Sequence, residues 1–222
     1  MEGGAQLVTG SAPSGTPGEP PQSTAEDSAD TSALVRLARD GDAGAFEHLV
    51  WRYQSPLRIY LARLTGDEEQ ARDLAQDVFW QAWRRLHGLR DPALFRAWLY
   101  RIATNQGRSW LRRKRLIAMV SLEWLSSEPD ESSTQREPSA RDLAALRAPE
   151  SGFEERMADT QMVERALRRV PVDYRTALLL HVSLGFTVAE VAEQLGITPG
   201  AVRMRLCRGL ALLRASYREE RA

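Results

Sequence analysis

Residues 187–214 read TVAEVAEQLGITPGAVRMRLCRGLALLR, and this stretch carries the clearest local structural signals in the C-terminal part of the chain. Thr187 and Glu190 have the spacing of a capping box, in which each side chain bonds the other residue's backbone N–H, so a helix is expected to begin there. Gly196 favours the left-handed backbone of a tight turn. Thr198 is a good N-cap, and the proline after it suits the first position of a second helix. The stretch therefore predicts two helices joined by a glycine turn.

The second helix of this pair has one apolar face and several arginines around the rest of its surface. Its apolar face consists of Val202, Leu206, Leu210 and Leu213, and its arginines are Arg203, Arg205, Arg208 and Arg214. Gly200 and Ala201 at its start let the backbone approach a groove closely, and arginines can contact phosphates or guanine edges. The pattern predicts a helix-turn-helix that binds nucleic acid. A helical hairpin with a solvated basic face is the alternative.

Composition indicates a soluble chain of one or two compact domains. The chain has 222 residues and a formal net charge of zero, but acidic blocks at 1–30 and 116–158 alternate with basic blocks at 31–115 and 159–222. Two basic blocks suggest two contacts with a polyanion. No apolar run is long enough for a membrane span, and no secretory signal is visible. The single cysteine excludes a disulfide framework and suits a reducing compartment.

Residues 1–31 and the middle of the chain have little capacity to form a core. The first stretch is rich in Gly, Ser, Pro and Thr, which predicts a disordered N-terminal tail. Residues 117–156 are expected to be an acidic flexible linker with one short helical piece at 141–148. Two compact domains remain, at 32–116 and 157–222.

Apolar spacing in the first domain predicts four helices and no strand. The first helix is expected to end near Gly41. The second is expected to be interrupted or bent near Pro56 and to end at Gly66. A third long helix follows, and a fourth begins after a loop that contains His87. These expectations give an all-α fold, with a four-helix bundle followed by a helix-turn-helix domain.

A polar stripe runs along the fourth helix. Its members are Arg101, Asn105, Arg108, Arg112 and Arg115, which fall on one face at helical spacing. A stripe of arginines without an acid suits a nucleic-acid backbone, and the asparagine suits a base contact. Three aromatics lie nearby, and stacking on unpaired bases is one use for them. Trp98 falls on the core face and is expected to pack there, whereas the roles of Tyr100 and Trp110 stay open.

The third helix carries a second polar face, formed by Asp73, Gln76, Asp77, Trp80 and Arg84. Spacing alone favours a solvated face. An exposed tryptophan argues for contact with another protein.

Three stretches together resemble one known family. They are GDAGAFEHLVWRYQSPLRIYLARLTGDEEQARDLAQDVFWQAWRRL (41–86), FRAWLYRIATNQGRSWLRRKR (95–115) and LRRVPVDYRTALLLHVSLGFTVAEVAEQLGITPGAVRMRLCRGLALLR (167–214). They resemble the bacterial extracytoplasmic-function (ECF, group IV) sigma factors of RNA polymerase, in the family's order and over about two-thirds of the chain. The resemblance implies a factor that binds core polymerase and directs promoter recognition and transcription initiation in the bacterial cytoplasm.

The resemblance implies that the first domain is σ2-like. In the family this domain binds the clamp helices of the polymerase β′ subunit and melts the −10 element. The implied polymerase contacts are Asp73, Gln76, Asp77, Trp80 and Arg84, and the implied −10 contacts are His87, Leu89, Arg90, Arg101, Asn105, Arg108 and Arg112. The loop at 87–94 matches the family's loop that captures a flipped base.

The second domain resembles σ4, which reads the −35 element in the major groove and touches the polymerase β flap. The implied contacts are Thr198, Gly200, Arg203, Met204, Cys207 and Arg208. Ala201, Met204 and Cys207 depart from the residues common in the family, so the −35 sequence stays open. The acidic linker resembles one that threads through the polymerase cleft, and the family's usual restraint, an anti-sigma factor, is implied as a further partner.

Two other classes of function remain as alternatives. A helix-turn-helix regulator could bind duplex DNA independently of polymerase, but it would leave the polar stripe and the Asp73 face unexplained. An enzyme is disfavoured, because no glycine-rich phosphate loop, metal-binding cluster or nucleophile elbow appears. The histidines His48, His87 and His181 are scattered along the chain. No catalytic residue, metal or cofactor is expected.

Overall fold

The computed structural model describes residues 23–123 and 153–221, and the side chains of 29–117 and 161–221. The described residues form helices and contain no strand, which confirms the all-α prediction. The helices are α1 (Ser23–Arg39), α2 (Ala43–Thr65), α3 (Glu68–Arg85), α4 (Phe95–Glu123), α5 (Phe153–Arg169), α6 (Val172–Leu178), α7 (Val188–Leu195) and α8 (Pro199–Arg221). No helix in these ranges is long and apolar enough to cross a membrane.

Helices α1 to α4 form the first unit, with α2 in contact with each of the other three. Their buried faces include Val35, Leu49, Leu57, Leu61, Leu74, Val78, Phe95 and Leu99. Asp42 and Asp67 cap the N-termini of α2 and α3 by accepting from backbone amides three residues ahead. Gly66 ends α2 in the left-handed conformation with φ 76°, as its position predicts. Pro56 lies inside α2, which continues through it without interruption.

The observed helix ends differ from the expected boundaries. Helix α1 begins at Ser23, inside the segment expected to be disordered. Arg52 of α2 donates to the hydroxyl of Thr31 at 2.8 Å and to the carboxylate of Asp30, and these bonds tie α1 to α2. Helix α4 runs to Glu123 and α5 begins at Phe153, so both extend into the expected linker. The helical piece expected at 141–148 lies outside the described residues.

Helices α5 to α8 form the second unit, in which α8 packs against the other three. Gly209 lets α8 pack closely against α6, because a Cβ at this position would lie 3.0 Å from Cδ1 of Leu178. The capping box of α7 is present: the amide of Glu190 donates to the Thr187 hydroxyl at 3.2 Å, and the amide of Thr187 donates to the Glu190 carboxylate at 2.7 Å. Gly196 ends α7 with φ 66°. The expected helix-turn-helix is therefore confirmed.

Candidate nucleic-acid and protein interfaces

The polar stripe of α4 borders an open groove between α3 and α4. Arg101, Asn105 and Arg112 are exposed, and Arg108 is half-buried. The groove is lined by Gln81, Arg85, Trp98, Arg101, Ile102, Asn105, Gln106, Arg108, Ser109 and Arg112. No carboxylate belongs to this lining, so the groove presents cations and amides together. Such a surface suits a phosphate backbone with base edges beside it.

Close contact with α2 fixes the direction in which the stripe faces. A Cβ on Gly107 would lie 2.7 Å from Cδ2 of Leu64, so only glycine leaves room for this approach. The Thr104 hydroxyl donates to the Tyr100 carbonyl at 2.7 Å and lies 2.7 Å from the Tyr60 hydroxyl. Tyr60 is therefore the donor in that second bond. Burial raises the pKa of Tyr60 far above its ordinary value, which keeps the donating proton in place.

The loop between α3 and α4 contains two short 3₁₀ turns, at Leu86–Gly88 and Pro92–Leu94. Asp91 caps the second turn by accepting from the amide of Ala93 at 3.0 Å. His87 and Arg90 are exposed on this loop. Leu89 is buried, so its side chain anchors the loop to the core while its neighbours face outward.

The three aromatics near the stripe have different environments. Tyr100 is buried, with its ring edge-on to Tyr60 at 5.4 Å between centroids, so it is unavailable for base stacking in this arrangement. Trp98 is partly buried and packs against the core, with its ring 6.0 Å from that of Phe95, as its position predicts. Trp110 is partly buried, and the Lys114 ammonium lies 4.6 Å from the centre of its ring.

The outer face of α3 carries the second candidate surface. Asp73, Gln76, Asp77, Trp80 and Arg84 are all exposed there. Trp80 has 62% of its surface exposed, although its side chain is large and apolar. An apolar groove between α2 and α3 lies beside it, lined by Ala43, Phe46, Val50, Gln76, Phe79, Trp80 and Trp83. Exposed aromatics beside an apolar groove are typical of a surface that binds another protein.

Sequence reasoning missed the α2 side of this groove. Phe46 contacts Trp83 with 4.8 Å between ring centroids, and Val50 lies along the same wall. The available signal was a pair of large apolar residues on α2, but helical spacing alone assigns them to the core.

Helix α8 presents its N-terminal turn to solvent. The Thr198 hydroxyl accepts from the amide of Ala201 at 3.2 Å and so caps the helix. Gly200, Arg203 and Met204 are exposed, and Cys207 and Arg208 are half-buried. Arg205 points towards α6 instead, where its guanidinium lies 3.7 Å from the Asp173 carboxylate. The predicted −35 residues therefore share the outer side of α8. In the described ranges, no cluster of three or more His, Cys, Asp or Glu has the geometry to hold a metal ion.

Comparison with protein families finds two matches. The model for Sigma-70 region 2 matches residues 49–117, and the model for Sigma-70, region 4 matches residues 160–213. The first match contains the α3 face, the loop and the α4 stripe, and the second contains the helix-turn-helix.

Curated relatives and solved structures resemble the chain along most of its length. The ECF RNA polymerase sigma-E factor of Escherichia coli (strain K12) is 30% identical over 176 residues, which cover 79% of this chain and 87% of the relative. The ECF RNA polymerase sigma factor SigW of Bacillus subtilis (strain 168) is 26% identical over 185 residues, covering 83% and 95%. The structure of CnrH in complex with the cytosolic domain of CnrY has a TM-score of 0.58 at 24% identity, with 84% of this chain and 96% of that chain covered. This last likeness concerns the fold alone.

Proposed function

Since the chain belongs to the sigma-70 family of RNA polymerase sigma factors, and to its extracytoplasmic-function group, we propose that the outer face of α3 binds core polymerase and that the α4 stripe and the N-terminal half of α8 bind promoter DNA. The family membership favours a polymerase subunit over a regulator that binds duplex DNA alone. It also accounts for the α3 face and the α4 stripe, which such a regulator leaves without a role. Members of this family act in transcription initiation and are not known enzymes.

The outer face of α3 binds core polymerase in this proposal. Asp73 and Asp77 supply negative charge, and Trp80 supplies a large apolar anchor beside the groove that contains Phe46. Basic and apolar side chains on a partner complement this combination, and the clamp helices of the β′ subunit are the partner that the family resemblance implies. Gln76 and Arg84 extend the same face.

The groove between α3 and α4 binds the −10 element. Its exposed position and its lining of arginines and amides without a carboxylate are the observation that carries this assignment. Arg101, Arg108 and Arg112 neutralise phosphates, which gives salt-dependent affinity. Asn105 contacts a base edge. The adjacent loop captures an unstacked base between the exposed His87 and Arg90, and the buried Leu89 holds this loop in place. Capture of the base selects the DNA sequence, because only a matching base fills the pocket.

The N-terminal half of α8 enters the major groove at the −35 element. Thr198 caps the helix, and Gly200 leaves the backbone unobstructed where it approaches the DNA. Arg203 contacts a base edge or a phosphate, and Met204 makes an apolar contact. Cys207 and Arg208 lie one turn further along the same side. An anti-sigma factor, the kind of partner implied by the family, would act by covering one of these surfaces.

A reconstituted transcription assay tests the proposal. Purified core polymerase, a genomic promoter library and this chain should yield start sites that core polymerase alone does not produce. The double variant Asp73→Arg with Asp77→Arg should lose association with core polymerase because two attractive charges become repulsive. Its helical content should be unchanged, since both side chains are exposed.

A matched control separates a specific effect from general charge reversal. Glu193→Arg reverses a charge on the exposed side of α7, outside every proposed contact, and should leave polymerase association intact. Unchanged co-purification of the Asp73 and Asp77 double variant with core polymerase would remove α3 from the interface. Failure of the unmodified chain to redirect initiation would refute the function itself.

A further inference from the structure

The second unit is docked onto the first through a defined aromatic contact. Phe186, which precedes α7, is buried, and its ring lies edge-on to that of Tyr100 with 5.8 Å between centroids. The guanidinium of Arg96 lies 4.5 Å from the centre of the Phe186 ring and donates to the Leu184 carbonyl. A π-turn at Leu179–Ser183 brings this segment towards α4. The contact therefore combines an apolar anchor with a cation above its ring.

A buried arginine joins helix ends from both units. The guanidinium of Arg175 donates to the Leu64 carbonyl in the last turn of α2 at 2.9 Å, and to the Val170 carbonyl just after α5 at 2.9 Å. It also bonds the Arg168 carbonyl in the last turn of α5. One cation thus satisfies carbonyls at two helix C-termini, where the helix dipoles favour positive charge. Burial, together with the nearby charges of Arg115 and Arg168, lowers the pKa of Arg175 to about 10, yet the group stays protonated near neutral pH.

Where the two units meet, an acidic side chain of the second unit also pairs with an arginine of the α4 stripe. The Asp173 carboxylate lies 2.5 Å from the guanidinium of Arg108 and 3.7 Å from that of Arg205. Arg205 belongs to the same unit as Asp173 and holds the carboxylate in place. Arg108 belongs to the other unit and to the groove assigned to DNA. The carboxylate therefore occupies a position on Arg108 that a phosphate would otherwise take.

The ion pairs between the units favour release of this docked arrangement. These pairs, Asp173 with Arg108 and Glu164 with Arg63, are partly exposed, so salt and competing anions weaken them. A docked form that depends in part on such pairs is reversible.

We propose that docking of the second unit onto the first is an autoinhibited state of the free protein, in which Asp173 competes with DNA phosphate for Arg108. The contacts of Phe186 and Arg175 set the geometry of this state, and the partly exposed ion pairs make it reversible. Separation of the units frees Arg108 for the −10 element. The inference rests on the proposed function, because it needs α4 to be a DNA-binding surface.

The test uses a variant that undocks the units without changing net charge. Asp173→Asn combined with Arg96→Ala removes two contacts between the units, and both side chains are exposed, so folding should be retained. The matched control is Glu219→Gln with Arg169→Ala, which breaks a 3.0 Å ion pair inside the second unit. Circular dichroism verifies that the helical content of both is intact.

Distances between spin labels report docking directly. Labels at the exposed positions Gln54 and Ala215, in a Cys207→Ser background of the full chain, should give one narrow distance distribution. The control should keep this distance, and the undocking variant should give a broad, longer distribution. A broad distribution in the otherwise unmodified chain, or an unchanged narrow one in the undocking variant, would overturn the proposal.

Binding of DNA by the full chain without polymerase reports competition for Arg108. The probe is a fluorescein-labelled duplex of mixed sequence, titrated at several salt concentrations. The undocking variant should bind about two- to fivefold more tightly than the control, as expected when an exposed ion pair no longer competes. Its log K should also fall more steeply with log salt, by about one, because one more phosphate is neutralised. Undocking without tighter binding refutes competition.

A transcription assay with core polymerase distinguishes a failure of the autoinhibition proposal from a failure of the proposed function. The undocking variant should still direct initiation, since neither substituted residue belongs to a proposed polymerase or promoter contact. If that variant initiates normally but binds DNA no more tightly, only the autoinhibition is wrong. If the unmodified chain itself does not redirect initiation, the proposed function is wrong.

Discussion

Gly107 of α4 offers a quantitative test of how the stripe is positioned. A Cβ at this position would lie 2.7 Å from Cδ2 of Leu64 and 3.5 Å from Cδ2 of Leu61. Both leucines are completely buried, so neither has free space into which its side chain can move. The substitution Gly107→Ala therefore forces either the leucines or α4 itself to shift.

Two opposing effects set the change in the free energy of unfolding. Adding a methyl group to a tightly packed core costs about 1–3 kcal/mol. Replacing glycine by alanine inside a helix gains about 1 kcal/mol. Overpacking should be the larger effect, because Leu64 is enclosed, which leaves a net destabilisation of about 0–2 kcal/mol. Each kcal/mol lowers the melting temperature of a unit of this size by about 4–8 °C.

Tryptophan fluorescence isolates the unit in which Gly107 lies. All six tryptophans precede the second unit, so their unfolding signal reports the first one. The control is Gly200→Ala in α8, where the nearest atom to the new Cβ is 3.9 Å away. It should leave the tryptophan transition unchanged. A Gly107→Ala protein that unfolds at the same or a higher temperature than the unmodified chain would refute the packing argument.

Three further predictions concern the promoter contacts and the core. Arg203→Ala should weaken −35-dependent initiation by about 1–3 kcal/mol if the side chain reads a base; an unaltered response to −35 mutations would remove it from the site. Asn105→Ala should impair strand opening more than closed-complex binding, and equal permanganate reactivity of the −10 bases would contradict this. Burial raises the pKa of Tyr100 from 10 to about 12, so the native state keeps this proton longer than the unfolded chain. The free energy of unfolding should therefore fall as pH rises from 10 to 12, and it should fall less steeply in Tyr100→Phe. Identical pH slopes in the two proteins would exclude ionisation of Tyr100 as the cause.

Local signals made the second unit predictable. The capping box at Thr187, the left-handed turn at Gly196 and the N-cap at Thr198 each depend on residues within four positions of one another. Interactions of this kind form the same way in almost any context. The stripe on α4 was predictable for a similar reason, because helical spacing alone places its members on one face.

Contacts between distant segments could not be predicted. Arg175 lies in a short amphipathic helix, where an arginine normally faces solvent, and its burial depends on the Leu64 carbonyl 111 positions earlier in the chain. Tyr100 stayed undecided because the residue beside it, Phe186, comes from the other unit. The start of α1 was missed because its polar composition resembles a disordered tail, and the bonds from Arg52 of α2 to Asp30 and Thr31 of the same helix come from a distant segment.

The π-turn at Leu179–Ser183 has an implication for how related chains diverge. Its i to i+5 hydrogen bonding, seen where the amide of Leu184 donates to the Leu179 carbonyl at 3.1 Å, accommodates one residue more per turn than an α-helix does. Loss of a single residue there would turn the following segment by about 100° and take Phe186 out of register with α4. The helix-turn-helix downstream would survive such a deletion. Chains that lack the extra residue should therefore read promoters through the same helices without the self-contact described above.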